Sequence, residues 1–152
     1  MVQLSVKPPF KRILIIEDNE TDRYIARRMI QKYHFSEDTV VKESAPKALE
    51  YLKSLLKSPE SMPQLIFLDI RMPEMDGFGF LDEYAKLPEN IKTNCVILML
   101  SSSLNKEDHQ LAEKSPYVNR FLNKPLNMEK MKIIEQEFFL NKITKQPISK
   151  TQ

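Results

Sequence analysis

The stretch LIFLDIRMPEMDG, residues 65–77, decides the fold. Leu65, Ile66, Phe67 and Leu68 make a run apolar enough to be covered on both faces, which is how a strand inside a parallel sheet reads. A neutral turn would close such a run at little cost. This one ends in a carboxylate, Asp69, with Pro73 and Gly77 close behind. Burying a charge is expensive, so Asp69 is the first candidate for chemistry.

Four more apolar runs flank this one, each followed by an amphipathic stretch, the pattern of a parallel sheet covered by helices. RILIIED (12–18) precedes a helix with Ile25, Met29, Ile30 and Tyr33 on one face, for which Asn19 and Thr21 are candidate caps. TVVKE (39–43) precedes a stripe of Ala48, Leu49, Leu52, Leu55 and Leu56, with Ser44 as cap and Pro46 in the first turn. The central strand leads to a helix carrying Phe78, Leu81, Tyr84 and Ala85. CVILML (95–100) precedes a polar helix around NKEDHQLAEK, and YVNRFLN (117–123) precedes a helix capped by Asn127 and bearing Met131, Ile134 and Phe138. The expected fold is a doubly wound (βα)5 α/β domain on a five-stranded parallel sheet, spanning residues 10–142, with flexible tails at 1–9 and 143–152.

Composition bounds the function classes. A chain of 152 residues is the size of one domain, and its 41% hydrophobic and 29% charged content is that of a globular protein. No run approaches the roughly 20 apolar residues of a membrane span, and MVQLSVKPPF has no apolar centre, so a cytoplasmic protein with no membrane partner is expected. The net charge of +2 gives no reason to expect direct nucleic-acid binding. Cys95 is the single cysteine, which excludes an internal disulfide and points to packing in a strand.

Ligands of doubly wound sheets bind in the crevice beyond the carboxyl ends of the strands. Glu17 and Asp18 end the first strand, Asp69 the third, Ser101 follows the fourth, and Lys124 follows the fifth. Three carboxylates brought together raise one another's pKa unless a cation shares them. Oxygen ligands of that charge suit Mg²⁺, which takes one or two carboxylates plus waters and phosphate oxygens. The cluster therefore predicts Mg²⁺, and the ion predicts a phosphate. Each residue alone has a plainer reading. Glu17 and Asp18 are also what a helix N-terminus favours, Ser101 heads a triple serine of the kind found in turns, and Lys124 precedes a rigid Pro125. Pro73, Gly77, Met72, Met75 and Asp76 read as loop-forming, and His34 and His109 as surface residues.

With those motifs in order, the chain resembles the receiver domain of two-component response regulators, a flavodoxin-like fold, from about Ile13 to about Phe138. The resemblance rests on the acidic pair in IIEDN, the aspartate in FLDIRMPEMDG, the hydroxyl in LMLSS and the lysine in FLNKP. It implies that Asp69 accepts a phosphoryl group from a sensor histidine kinase or a histidine phosphotransfer protein. Glu17, Asp18, Asp69 and the backbone carbonyl of Arg71 would hold Mg²⁺, and Ser101 and Lys124 would hold phosphoryl oxygens, with a cis Lys124–Pro125 peptide aiming the ammonium into the crevice. It further implies a switch in which Ser101 moves inward and Phe121 follows, reshaping the face of the fourth expected helix, fifth strand and fifth helix. The protein would act as a stand-alone phosphoprotein of a phosphorelay that binds a downstream protein target, as a monomer or a phosphorylation-dependent dimer. It would be no enzyme beyond Mg²⁺-dependent self-phosphorylation and autodephosphorylation, with Arg71 and Ser103 near the crevice setting the lifetime. A degenerate receiver that signals by binding alone is the alternative. A dehalogenase-like phosphatase needs a second aspartate two residues after the first, where Arg71 stands. A flavin or nucleotide binder needs a phosphate loop after the first strand, where IIEDNETD is acidic.

Overall fold

A computed structural model of the chain describes residues 7–102 and 105–144. Five strands form one parallel sheet: β1 (Phe10–Ile16), β2 (Ser36–Lys42), β3 (Leu65–Asp69), β4 (Val96–Ser101) and β5 (Val118–Asn123), in the order β2-β1-β3-β4-β5. Among the described residues, six α-helices follow the chain: α1 (Glu20–Lys32), α2 (Ala45–Ser54), α3 (Gly77–Tyr84), α4 (Glu89–Lys92), α5 (Lys106–Lys114) and α6 (Met128–Thr144). The expected α/β architecture is therefore the observed one. No described helix is long and apolar enough to cross a membrane.

β3 lies at the centre because it can afford no wet face. All five of its residues are buried, Asp69 included. The period of two splits the sheet's side chains between two cores. Leu14, Ile16, Ile66, Leu68, Ile97 and Met99 meet α2, α3 and α5 on one face. Ile13, Ile15, Leu65, Phe67, Leu98 and Leu100 meet α1 and α6 on the other. Each fully buried Leu, Ile or Phe contributes about 1.5–3 kcal/mol, so the sheet faces dominate the driving force for folding.

The helix starts follow capping chemistry. Asn19 accepts from the Asp22 amide at 2.9 Å, Ser44 from the Lys47 amide at 3.3 Å, and Asn127 from the Lys130 amide at 2.8 Å. Asp76 is more than a loop residue, for its carboxylate caps α3 through the Gly79 amide at 2.8 Å. Gly77 is required by close approach, because a Cβ there would lie 2.7 Å from the Asp69 carbonyl oxygen and 2.8 Å from Met99 Cε. No β-carbon tolerates such contacts.

Several expectations need correction. Ile25 and Leu56 are exposed, because the buried stripe of α1 runs through Ala26 and Ile30 and that of α2 ends at Leu52. Phe80, fully buried, leads the core face of α3, while Ala85 is exposed. β2 starts three residues earlier than the sequence pattern indicates, since Ser36 to Asp38 pair with β1 despite their polarity. The connection before β4 contains α4, and the one before β3 a single 3₁₀ turn over Pro59–Ser61. His109 is half-buried, its ring edge-on to Phe121 at 5.0 Å, and so is no plain surface residue. Residues 1–6 and 145–152 of the expected tails, and Ser103, lie outside the described residues.

Candidate functional site

Strand order and register assemble the site. The chain leaves β1 toward β2 on one side and enters β3 on the other, so the crevice between β1 and β3 is the switch point of the sheet. Ile16 pairs with Leu68, which sets Glu17 beside Asp69. Asp69 in turn pairs with Leu100, one residue before Ser101. Ser101 pairs with Asn123, and its carbonyl accepts from the Lys124 amide at 2.8 Å. Five residues spread from Glu17 to Lys124 thus reach one strand-end crevice through four strands. The Lys124–Pro125 peptide is cis.

Lys124 is the hub. Its Nζ lies 2.6 Å from Glu17 Oε1, 2.9 Å from Asp22 Oδ2 and 3.1 Å from Asp69 Oδ1. Glu17, Asp69 and Ser101 are 4%, 6% and 3% exposed, so their charges and dipoles act with little screening by water. Burial pushes the Glu17 carboxyl up to about 7, and the Asp69 charge adds to this against the pull of the Lys124 ammonium. Asp69 is raised too, by burial first, with the Lys124 charge opposing. Burial works against the ammonium of Lys124, yet hydrogen bonds to Glu17 and Asp22 outweigh it and hold the group charged above its ordinary range.

One ammonium does not balance these acids. Glu17, Asp18 and Asp69 each bring a carboxylate oxygen within 4.8 Å of the others, and Asp22 already shares Lys124. An all-oxygen donor set with surplus negative charge is what a hard divalent cation requires. Mg²⁺ fits these residues.

Two contributors escape sequence reasoning. Asp22 sits in the first turn of α1, where an acidic residue is expected for the helix dipole alone, and its bond to Lys124 spans 102 positions. Arg23 donates from Nη1 to the carbonyls of Glu17 at 3.0 Å and Asp18 at 2.8 Å, pinning the loop that carries the acidic pair. The acid in the first helical turn after an acidic strand end is the nearest thing to a sequence signal for Asp22. Arg23 has none.

Arg71 bonds a residue outside this set. Its guanidinium pairs with the buried carboxylate of Asp108, in the first turn of α5. Phe121, three residues before Lys124, is 3% exposed and lies against His109.

Comparison with known proteins places the fold. The response regulator receiver domain model matches residues 13–135. The probable methanogenesis regulatory protein FilR2 of Methanothrix harundinacea is 28% identical over 123 residues, 81% of this chain and 77% of that one. A two-component response regulator from Cytophaga hutchinsonii superposes with a TM-score of 0.80 at 24% identity, over 86% of this chain and 98% of that one. That likeness concerns the fold. The phosphorylated cyanobacterial phytochrome response regulator RcpA superposes with a TM-score of 0.68 at 26% identity, over 87% of this chain and 95% of that one.

Proposed function

The chain belongs to the response regulator receiver domain family, and from that premise we propose that it carries a signal as an aspartyl phosphate on Asp69. The observation that carries this reading is the buried carboxylate of Asp69 3.1 Å from the Lys124 ammonium, in a crevice that Glu17 and Asp18 share. A relative of this fold, RcpA, is described in its phosphorylated form, which supports the same chemistry here.

A carboxylate is a weak nucleophile, so the rate must come from position and charge. The end of β3 fixes Asp69 by burial on every side, and Lys124 meets the charge of the incoming phosphoryl oxygens. Ser101, buried at the end of β4, donates its hydroxyl to one of those oxygens. The donor would be a phosphohistidine of a sensor kinase or phosphotransfer protein. Asp69 forms the new O–P bond as the P–N bond breaks, and the imidazole nitrogen keeps the electron pair. Glu17, Asp18, Asp69 and the carbonyl of Arg71 would hold Mg²⁺, which when bound neutralises phosphoryl charge. The resulting acyl phosphate is open to water, so the mark is temporary.

The phosphoryl group carries about 1.5–2 negative charges beside Ser101 and Lys124, in place of the single charge of the ionised Asp69 carboxylate. Ser101 turning toward them, followed by Phe121, would reshape the face of α5, β5 and α6, which a protein target then reads. A full switch from 1:99 to 99:1 requires the phosphoryl group to favour the active form by about 5.5 kcal/mol.

The test is intact-protein mass after incubation with acetyl phosphate, with and without Mg²⁺, and with a phosphorylated histidine phosphotransfer protein as second donor. A single phosphoryl adduct that requires Mg²⁺ and is lost in Asp69→Asn is the expected result. An adduct retained by Asp69→Asn would put the phosphoryl group on another residue and overturn the assignment, and none from either donor would leave a receiver that signals by binding alone.

A further inference from the structure

The ion pair between Arg71 and Asp108 joins two parts of the chain that the proposed phosphorylation would set in motion. Arg71 lies two residues beyond Asp69, on the loop leaving β3, and Asp108 lies in the first turn of α5. The partners are unequal. The Arg71 side chain is 63% exposed and the Asp108 side chain 8%, so the cation is free to swing and the carboxylate is fixed. Asp108 is fixed further by its own amide, which donates to the Asn105 side-chain oxygen at 3.2 Å. The next residue, His109, packs edge-on against Phe121 at 5.0 Å. A single helical turn therefore connects the loop after Asp69 to the aromatic on β5.

We propose that Arg71 is a shared cation, which ties the first turn of α5 to the β3 loop in the resting protein and leaves Asp108 for the phosphoryl group once Asp69 carries one. This rests on the assignment of Asp69 as phosphoacceptor. Two anions compete for one guanidinium. Guanidinium pairs with phosphate and with carboxylate in the same forked geometry, and the more highly charged anion is the stronger partner. A phosphoryl group on Asp69 carries about 1.5–2 negative charges within two residues of Arg71, in place of the carboxylate's one and against the single charge of Asp108. As Arg71 turns, the buried Asp108 loses its cation, and a carboxylate in a poorly hydrated position without a partner drives local rearrangement. The first turn of α5 loosens, and with it the seat of His109 against Phe121. In this account Asp108 is a positioning residue, and the transfer of one guanidinium carries the signal from the crevice to α5.

Hydrogen exchange read by mass spectrometry on peptides covering residues 105–114 tests this. In wild type, phosphorylation by acetyl phosphate with Mg²⁺ should raise exchange there about tenfold. Asp108→Asn, which keeps shape and removes charge, should show the raised exchange before phosphorylation, still accept the phosphoryl group by intact mass, and gain little more from it. Arg71→Gln, read for exchange only, should match it. Wild-type protection unchanged by a proven adduct on Asp69 would overturn the inference and leave the phosphoacceptor standing. So would resting variants as protected as wild type. Absence of any adduct from acetyl phosphate or a phosphorylated phosphotransfer protein would remove the phosphoacceptor itself, and the inference with it.

Discussion

The two ends of the sheet treat buried polar groups in opposite ways. At the amino end, the half-buried Arg12 and the buried Lys92 are both matched. Arg12 bonds Asp38 through Nε at 2.6 Å and donates to the Ser61 carbonyl from its Nη1. Lys92, 7% exposed, donates to the Ala85 carbonyl at 2.8 Å and the Tyr117 hydroxyl at 3.3 Å, with its Nζ 4.9 Å from the Tyr117 ring centre. At the carboxyl end, Lys124 faces three carboxylates and Asp18 adds a fourth nearby. The first arrangement is what stability selects, and the second is tolerable only where a cation or a phosphoryl-transfer reaction makes use of the surplus. Function sits where the fold is least neutral.

That contrast can be broken at either end. The largest expected effect is on Cys95, half-buried just before β4, whose thiol is pushed up to about 12 by desolvation, against a hydrogen bond with Tyr84 that lowers it. Alkylation by iodoacetamide at pH 8 should be at least about a hundredfold slower in native than in urea-unfolded protein, since the thiolate is the nucleophile; equal rates would show the amino end to be open. Next, Lys92→Met keeps the stem and removes the ammonium, leaving the Ala85 carbonyl without its donor. It should cost about 1–3 kcal/mol in urea unfolding, and an unchanged midpoint would mean that this end owes nothing to its polar network.

The carboxyl end should respond with the opposite sign. In chelator, Asp69→Asn removes one of the carboxylates competing for Lys124 and should raise Tm by about 2–4 °C, the equivalent of about 1 kcal/mol in a chain of this size. A fall in Tm would mean the surplus of charge is already relieved. The smallest effect is in pH. Glu17, at about 7 in the fold, lies above its ordinary value of 4.5, so the folded state holds this proton more tightly than the unfolded state. The stability this group contributes is complete below about pH 4.5 and is lost as the pH rises to 7. Glu17→Gln should flatten that slope in metal-free buffer, and a slope unaltered by the substitution would assign it elsewhere.

How much of this was legible depended on range. Strands declared themselves through apolar runs, and Asp69 through its place at the end of one, because burial on both faces is written in consecutive residues. Glu17, Ser101 and Lys124 followed from the rule that parallel strand ends converge. β2 was half hidden, since Ser36, Glu37 and Asp38 form an edge that needs little apolar surface. Pairings across the chain left no periodic trace. Asp22 with Lys124, Arg71 with Asp108 and His109 with Phe121 are facts of tertiary packing. The same holds for Gly77, whose sequence context announces a loop while its actual constraint is the Asp69 carbonyl pressed against it.

The central claim is that the surplus of charge at the carboxyl end exists to receive a phosphoryl group on one carboxylate. Borohydride reduces an aspartyl phosphate to homoserine, so reduction of the phosphorylated protein followed by peptide sequencing reads the site directly. The account predicts homoserine at position 69 alone. Homoserine at Asp18 or Asp22, or an unmodified Asp69 in protein that carries a phosphoryl group, would contradict it.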